Sequence, residues 1–111
     1  MTDLAAETVV AVYLTFPDAP TAEALASELV DARLAACVNV LPQALSVYRW
    51  AGSVVREAEV VAVAKTTAGR LAALVAQVEA RHPYDVPCVV AYPAAGGSAP
   101  YLEWVRGEVA G

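Results

Sequence analysis

At 111 residues the chain makes one domain, long enough to bury a core without disulfide or metal staples. It is 59% apolar and 17% charged, against roughly 25% charged in an average soluble domain, so surface is being spared and subunit contacts are expected. A net charge of -5 and a pI near 4.6 argue against nucleic acid or anionic membrane as the main partner, since both need clustered Lys and Arg to offset phosphate, and here the seven basic residues are scattered.

Glu7 to Phe16, with Val9, Val10, Val12, Tyr13 and Phe16, reads as a first strand ending at Pro17-Asp18. Asp18 can cap the helix that follows, with Pro20 in its first turn. Leu25, Leu29, Val30 and Leu34 recur at three- and four-residue spacing and predict a helix over about Ala19 to Ala35. Two long apolar runs come next, Cys37 to Trp50 and Ser53 to Thr66, joined by Ala51-Gly52 as a tight turn. Fourteen residues at roughly 3.3 Å each make strands on the order of 45 Å long. A domain of this size has a radius of gyration of roughly 13 Å and a diameter of about 35 Å. The hairpin should therefore overhang its own domain, and its valines, Val54 and Val55 among them, need a cover that another chain would provide. This predicts an obligate oligomer. Pro42 has no N–H for a central ladder, which predicts an edge strand or a bulge at that point.

Thr67 is the expected N-cap of a second helix, with Leu71, Leu74, Val75 and Val78 as an apolar stripe through Arg81. Val86 to Pro93 reads as a short fourth strand. After Gly96-Gly97, Ser98 can cap a last helix bearing Tyr101, Leu102, Trp104 and Val105. The order βαββαβ plus a C-terminal helix predicts an α+β ferredoxin-like split βαβ sandwich with its helices on one sheet face. Right-handed crossovers are expected to set the first and third strands side by side and parallel, with the second and fourth on opposite edges. Cys37 and Cys88 then cannot meet within a subunit. No stretch reaches the roughly 18 apolar residues of a membrane span, and the N-terminus lacks the basic start of a signal peptide, so the expected location is the cytoplasm, with reduced thiols and no membrane insertion.

Catalytic arrangements are not recognisable. The hydroxyl residues share a single histidine, His82, with no Gly-x-Ser-x-Gly around any serine, and Gly96-Gly97-Ser98 is followed by no phosphate-binding lysine. The expectation is a protein that is not an enzyme. Lys65, the chain's sole lysine, ends the third strand beside Thr66 and Thr67 and suits either a carboxylate or phosphate ligand, or else a solvated strand end or an intersubunit ion pair. His82, in His82-Pro-Tyr-Asp-Val-Pro87, suits either the favourable dipole at a helix C-terminus or a transition-metal ligand completed by Cys37, Cys88, Asp85 or a neighbouring subunit. Trp50 and Trp104 read as packing anchors, Trp50 near a subunit contact. Asn39, on one strand face with Cys37, is either an interface contact or a cleft residue.

Five stretches, Ala32-Arg-Leu-Ala-Ala-Cys-Val-Asn-Val40, Tyr48-Arg-Trp-Ala-Gly52, Lys65-Thr-Thr67, His82-Pro-Tyr-Asp-Val-Pro87 and Tyr101-Leu-Glu-Trp104, closely resemble the CutA divalent-cation tolerance family in order and spacing, over about residues 8–106. The resemblance implies a single ferredoxin-like domain, a homotrimer similar to PII signalling proteins, a cytoplasmic location, and an association with tolerance of copper and other divalent metals. It also implies a copper site formed by a cysteine and two adjacent histidines, whose aligned positions here hold Thr15, Arg81 and His82. A guanidinium cannot ligate, so His82 is left as a weak metal candidate for copper or another divalent cation. The alternative is a PII-like binding module that takes a small anionic ligand or a protein partner in an intersubunit cleft lined by Asn39, Lys65 and Tyr84.

Overall fold

A computed structural model describes residues 4–110 of the chain. Alternation of apolar residues in the first run gives strand β1 (Val9–Phe16), in which Val10, Val12, Leu14 and Phe16 all point to one buried face. Asp18 accepts a hydrogen bond from the Thr21 N–H at 2.8 Å and opens helix α1 (Ala19–Asp31). The helix ends four residues before the predicted Ala35. Arg33 adopts φ 57°, and the N–H groups of Arg33 and Leu34 bond back to the carbonyls of Val30 and Leu29. That is a Schellman reversal with arginine in the left-handed position usually held by glycine.

The hairpin forms as expected from β2 (Cys37–Trp50) and β3 (Ser53–Thr67), and it stretches the molecule to 42 × 28 × 25 Å. Its turn has positive φ at both Ala51 and Gly52, the hand that matches strand twist. Pro42 sits where both sequence options are realised. β2 is an edge strand, and its register with β3 shifts between Leu41 and Ala44. The extra residue inverts the phase of β2, so that odd-numbered residues lie on one face before Pro42 and on the other after it. Helix α2 (Ala68–Arg81) follows directly, then a loop, β4 (Val89–Pro93) and helix α3 (Ala99–Val109). Thr67 and Ser98 occupy the N-cap positions, but neither side chain bonds the helix start. β4 begins at Val89, three residues later than predicted, leaving Val86, Pro87 and Cys88 in the loop.

The sheet order is β2-β3-β1-β4, with β2 and β4 on opposite edges and both cysteines free. Two sequence expectations are corrected. β1 and β3 are antiparallel, with Ala11 opposite Lys65 and Phe16 opposite Val60. The right-handed crossover through α1 makes β1 parallel to β2, and β3 returns antiparallel between them, which is what splits the βαβ unit. Nor do all helices share one face. α1 and α2 cover the face of Val12, Leu14, Ala62 and Ala64 through Leu25, Leu29, Leu74 and Val78. α3 instead crosses one end of the opposite face, where Val105 and Val109 pack on Val9 and Ala36. The rest of that second face is open, and Tyr13, Val90 and Tyr92 are exposed on it.

Candidate functional site

The hairpin projects beyond the two covering helices and roofs a cavity of about 560 Å³ on the open face, between the end of β1, the far half of β2 and β3, and the loop before β4. A volume of roughly 300–1,000 Å³ is usual for a ligand site. Cross-strand pairing assembles its wall. Ala44 lies opposite Glu59, Ser46 opposite Glu57 and Tyr48 opposite Val55, so Tyr48, Trp50, Glu57 and Glu59 share one face of the ribbon. Tyr13 and Thr15 from β1 and Tyr84, Asp85 and Cys88 from the loop complete the lining, in which there is no Lys, Arg or His.

Its electrostatics are anionic. Glu59 is only 7% exposed, and its Oε2 accepts a 2.9 Å hydrogen bond from the Tyr84 hydroxyl. Tyr48 donates to Glu57 Oε1 at 2.6 Å. That bond, followed by partial desolvation and the neighbouring carboxylate charges, pushes the Tyr48 phenol up to about 12. Burial first, then the bond to Glu59, raises the Tyr84 phenol further, and burial likewise pushes the Cys88 thiol up. These groups keep their protons at neutral pH, so the cavity presents phenols, a thiol and three carboxylates but no nucleophile with an adjacent base.

His82 lies behind this wall, not in it. The ring is buried and stacks on Phe16 at 4.8 Å, with 21° between the planes. Its Nδ1 accepts from the Tyr84 N–H at 3.1 Å, which puts the ring proton on Nε2, and Nε2 donates to the Thr15 carbonyl at 2.8 Å. Both nitrogens are occupied, so a metal at Nε2 would have to displace a buried bond. Arg81, beside it, grips Glu28 with two bonds of 3.1 and 3.0 Å across α1 and α2. Among the described residues, no three His, Cys, Asp or Glu side chains converge on a point. One subunit therefore does not offer a fitting set of ligands for a resident copper ion.

The three cleft residues expected from sequence fall into two places. Lys65 and Asn39 meet at the end of the open face near α3, where Lys65 Nζ donates to Asn39 Oδ1 and lies 4.0 Å from Cys37 Sγ. Cys37 in turn contacts the Tyr101 hydroxyl at 3.4 Å. That contact, then burial, raises the Tyr101 phenol. Tyr84 belongs to the acidic cavity instead. Glu57, Glu59 and Tyr48 were not picked out by sequence reasoning. The signal was present, because counting outward from Ala51-Gly52 in steps of two places them on one face with Trp50.

The family described as CutA1 divalent ion tolerance protein matches residues 10–108 of this chain. A divalent-cation tolerance protein CutA from Thermus thermophilus is 45% identical over 95 residues, covering 86% of this chain and 92% of that one. A chloroplastic protein CutA 1 from rice, Oryza sativa, is 43% identical over 97 residues, or 87% of this chain, and the chain spans only 55% of that longer relative. The crystal structure of CutA from Xylella fastidiosa superimposes with a TM-score of 0.89 at 38% identity, covering 92% of this chain and 98% of that one. Sequence and architecture agree, and the chain belongs to the CutA1 divalent ion tolerance family.

Proposed function

We propose that this protein is a non-catalytic, cytoplasmic homotrimer that takes part in divalent-cation tolerance through its assembled surface, and that each subunit holds copper or similar ions weakly if at all. The observation behind the metal part of this reading is the double engagement of His82, by the Thr15 carbonyl and the Tyr84 amide. Support for an oligomer comes from the overhang, where Leu45 and Val54 are each 61% exposed and Trp50 58% exposed, a density of apolar surface that a second chain would cover. The cytoplasm suits two free thiols. No helix among the described residues is long and apolar enough to cross a membrane.

Titration of Cu(II) into the wild type and into His82→Gln, followed by calorimetry and by the copper d–d absorption, tests the metal reading. The same weak, non-saturating uptake is expected in both. Saturable one-to-one binding in the wild type that disappears in His82→Gln would overturn it.

A second reading has one observation in its favour. The only lysine in the chain stands half-buried against Asn39 on the open face, a placement suited to a small anion in a PII-like intersubunit cleft. A thermal-shift screen of anionic metabolites tests this, because a ligand bound only to the native state raises the melting temperature. Shifts present in the wild type and absent in Lys65→Ala are the expected result. Equal shifts in the two proteins, or none in either, would end this reading.

A further inference from the structure

At the α3 end of the open face a positive charge stands without its opposite. Lys65 is half-buried, and its ammonium meets only the Asn39 side-chain carbonyl and, at 4.0 Å, the Cys37 sulfur. Among the described residues no carboxylate pairs with it. Arg49 and Arg56 also form no ion pair there, but both are exposed and solvated by water. A charge drawn partly out of water is ordinarily matched by a counter-ion.

The groups around Lys65 are donors. An ammonium carries three N–H bonds, and Asn39 and Cys37 occupy at most two of them. Asn39 receives Lys65 on its oxygen, so its amide nitrogen keeps two donors, and no described residue accepts from them. The Tyr101 hydroxyl lies 3.4 Å from the same sulfur, and the contact with Cys37, then burial, holds its proton on. Beside these donors the rings of Tyr101 and Trp104 make a wall, with centroids 5.7 Å apart and planes tilted by 37°. Both rings remain open, at 41% and 44% exposure. On β1 the residue facing Lys65 is Ala11, whose side chain is a single methyl group.

We infer that this cluster binds a monocarboxylate with a flat, unsaturated body, an aromatic carboxylate being the class that uses all of it. Lys65 supplies the charge, Asn39 and the Tyr101 hydroxyl supply further donors, and the two rings receive the flat body. This rests on the anion reading of Lys65 given above and names the anion. A phosphate dianion draws on several cations or a nest of backbone N–H groups, whereas Lys65 is one point charge. The arginine of α3 adds nothing to it, because Arg106 is engaged by the Glu7 carbonyl and by Glu103.

Titration of the full chain with sodium benzoate at constant ionic strength, read by NMR on the indole N–H signal of Trp104, tests the inference. The signal is assigned by its loss in Trp104→Phe. A saturable shift is expected, with benzamide, flat but uncharged, and inorganic phosphate each binding at least about tenfold more weakly than benzoate. Cyclohexanecarboxylate, with the same charge on a puckered ring, should bind about threefold more weakly. Lys65→Met removes the charge and keeps the stem, and should weaken benzoate by about tenfold or more. Asn39→Asp gives Lys65 an internal counter-ion without removing any packed group, so it should have the same effect and carries the test if Lys65→Met loses its circular dichroism. Benzoate bound no better than phosphate or cyclohexanecarboxylate overturns the inference and leaves an anion site at Lys65. Equal binding in wild type, Lys65→Met and Asn39→Asp, or no saturable shift with any anion, overturns both.

Discussion

His82 Nε2 lies 2.8 Å from the carbonyl oxygen of Thr15, a bond that ties the C-cap of α2 to the end of β1. Removing the ring in His82→Ala leaves that carbonyl and the Tyr84 N–H without their partners and opens space beside Phe16. The expected cost is about 2–3 kcal/mol of unfolding free energy, seen as a lower urea midpoint at fixed protein concentration. His82→Gln keeps a donor within reach and should recover part of the loss. A fully stable alanine variant would show that the imidazole has no structural duty.

Thr66 is completely buried in β3, and its Oγ1 finds no hydrogen-bond partner. Threonine and valine have the same branched shape, so Thr66→Val exchanges an unsatisfied hydroxyl for a methyl without a new cavity. The substitution should stabilise the protein by about 1 kcal/mol, measured by urea unfolding. Destabilisation would mean that the hydroxyl is satisfied in solution.

The turn between β2 and β3 contains a correctable strain. Ala51 has φ 51° and Gly52 has φ 84°, and only the glycine suits its conformation. Ala51→Asn restores the Asn-Gly pair favoured in such turns and should add about 0.5–1 kcal/mol. Gly52→Ala meets no atom within 4 Å, so its expected loss of about 1 kcal/mol would be conformational alone. Equal midpoints for the two variants would refute this account of the turn.

Acid should weaken α1 through its cap. The hydrogen bonds from the Thr21 hydroxyl and N–H hold the Asp18 carboxyl below its ordinary value of 3.8. A carboxylate depressed in the folded state contributes stability above the unfolded pKa and loses it as pH falls through the folded one. Wild type should therefore exceed Asp18→Ala in stability at neutral pH, and the gap should close as the pH drops below 3.8. Urea midpoints at pH 7 and pH 3 check this, and a gap independent of pH would argue against the cap.

Much of the fold was legible because each element announces itself locally. The bounds of β2 and the start of β3 followed from two apolar runs and a tight turn, and α2 followed from a stripe of four apolar residues. The end of α1 was misread because Arg33 does a job that glycine would have advertised. The direction of β1 against β3 depends on counting reversals around the split unit, which no residue signals. The Lys65–Asn39 contact follows from the register of Cys37 with Lys65, and so was close to readable. The restraint on His82 was not, since its two partners are backbone groups of Thr15 and Tyr84, and a main-chain carbonyl looks the same in every sequence. The acidic cavity gathers residues from Tyr13 to Cys88, and only the folded chain brings them together.

The extra residue near Pro42 gives the long arm of this molecule one place where its length can change freely. Two residues of β2 stand there opposite one of β3, so deleting one would leave Leu41 and Ala44 opposite Val61 and Glu59 and would keep Cys37 and Asn39 beside Lys65, and Tyr48 and Trp50 on the cavity. Anywhere else in the arm a one-residue change in β2 would turn one of those two groups to the other face. A relative shortened by a single residue at the bulge would keep both working surfaces on an unbroken ladder.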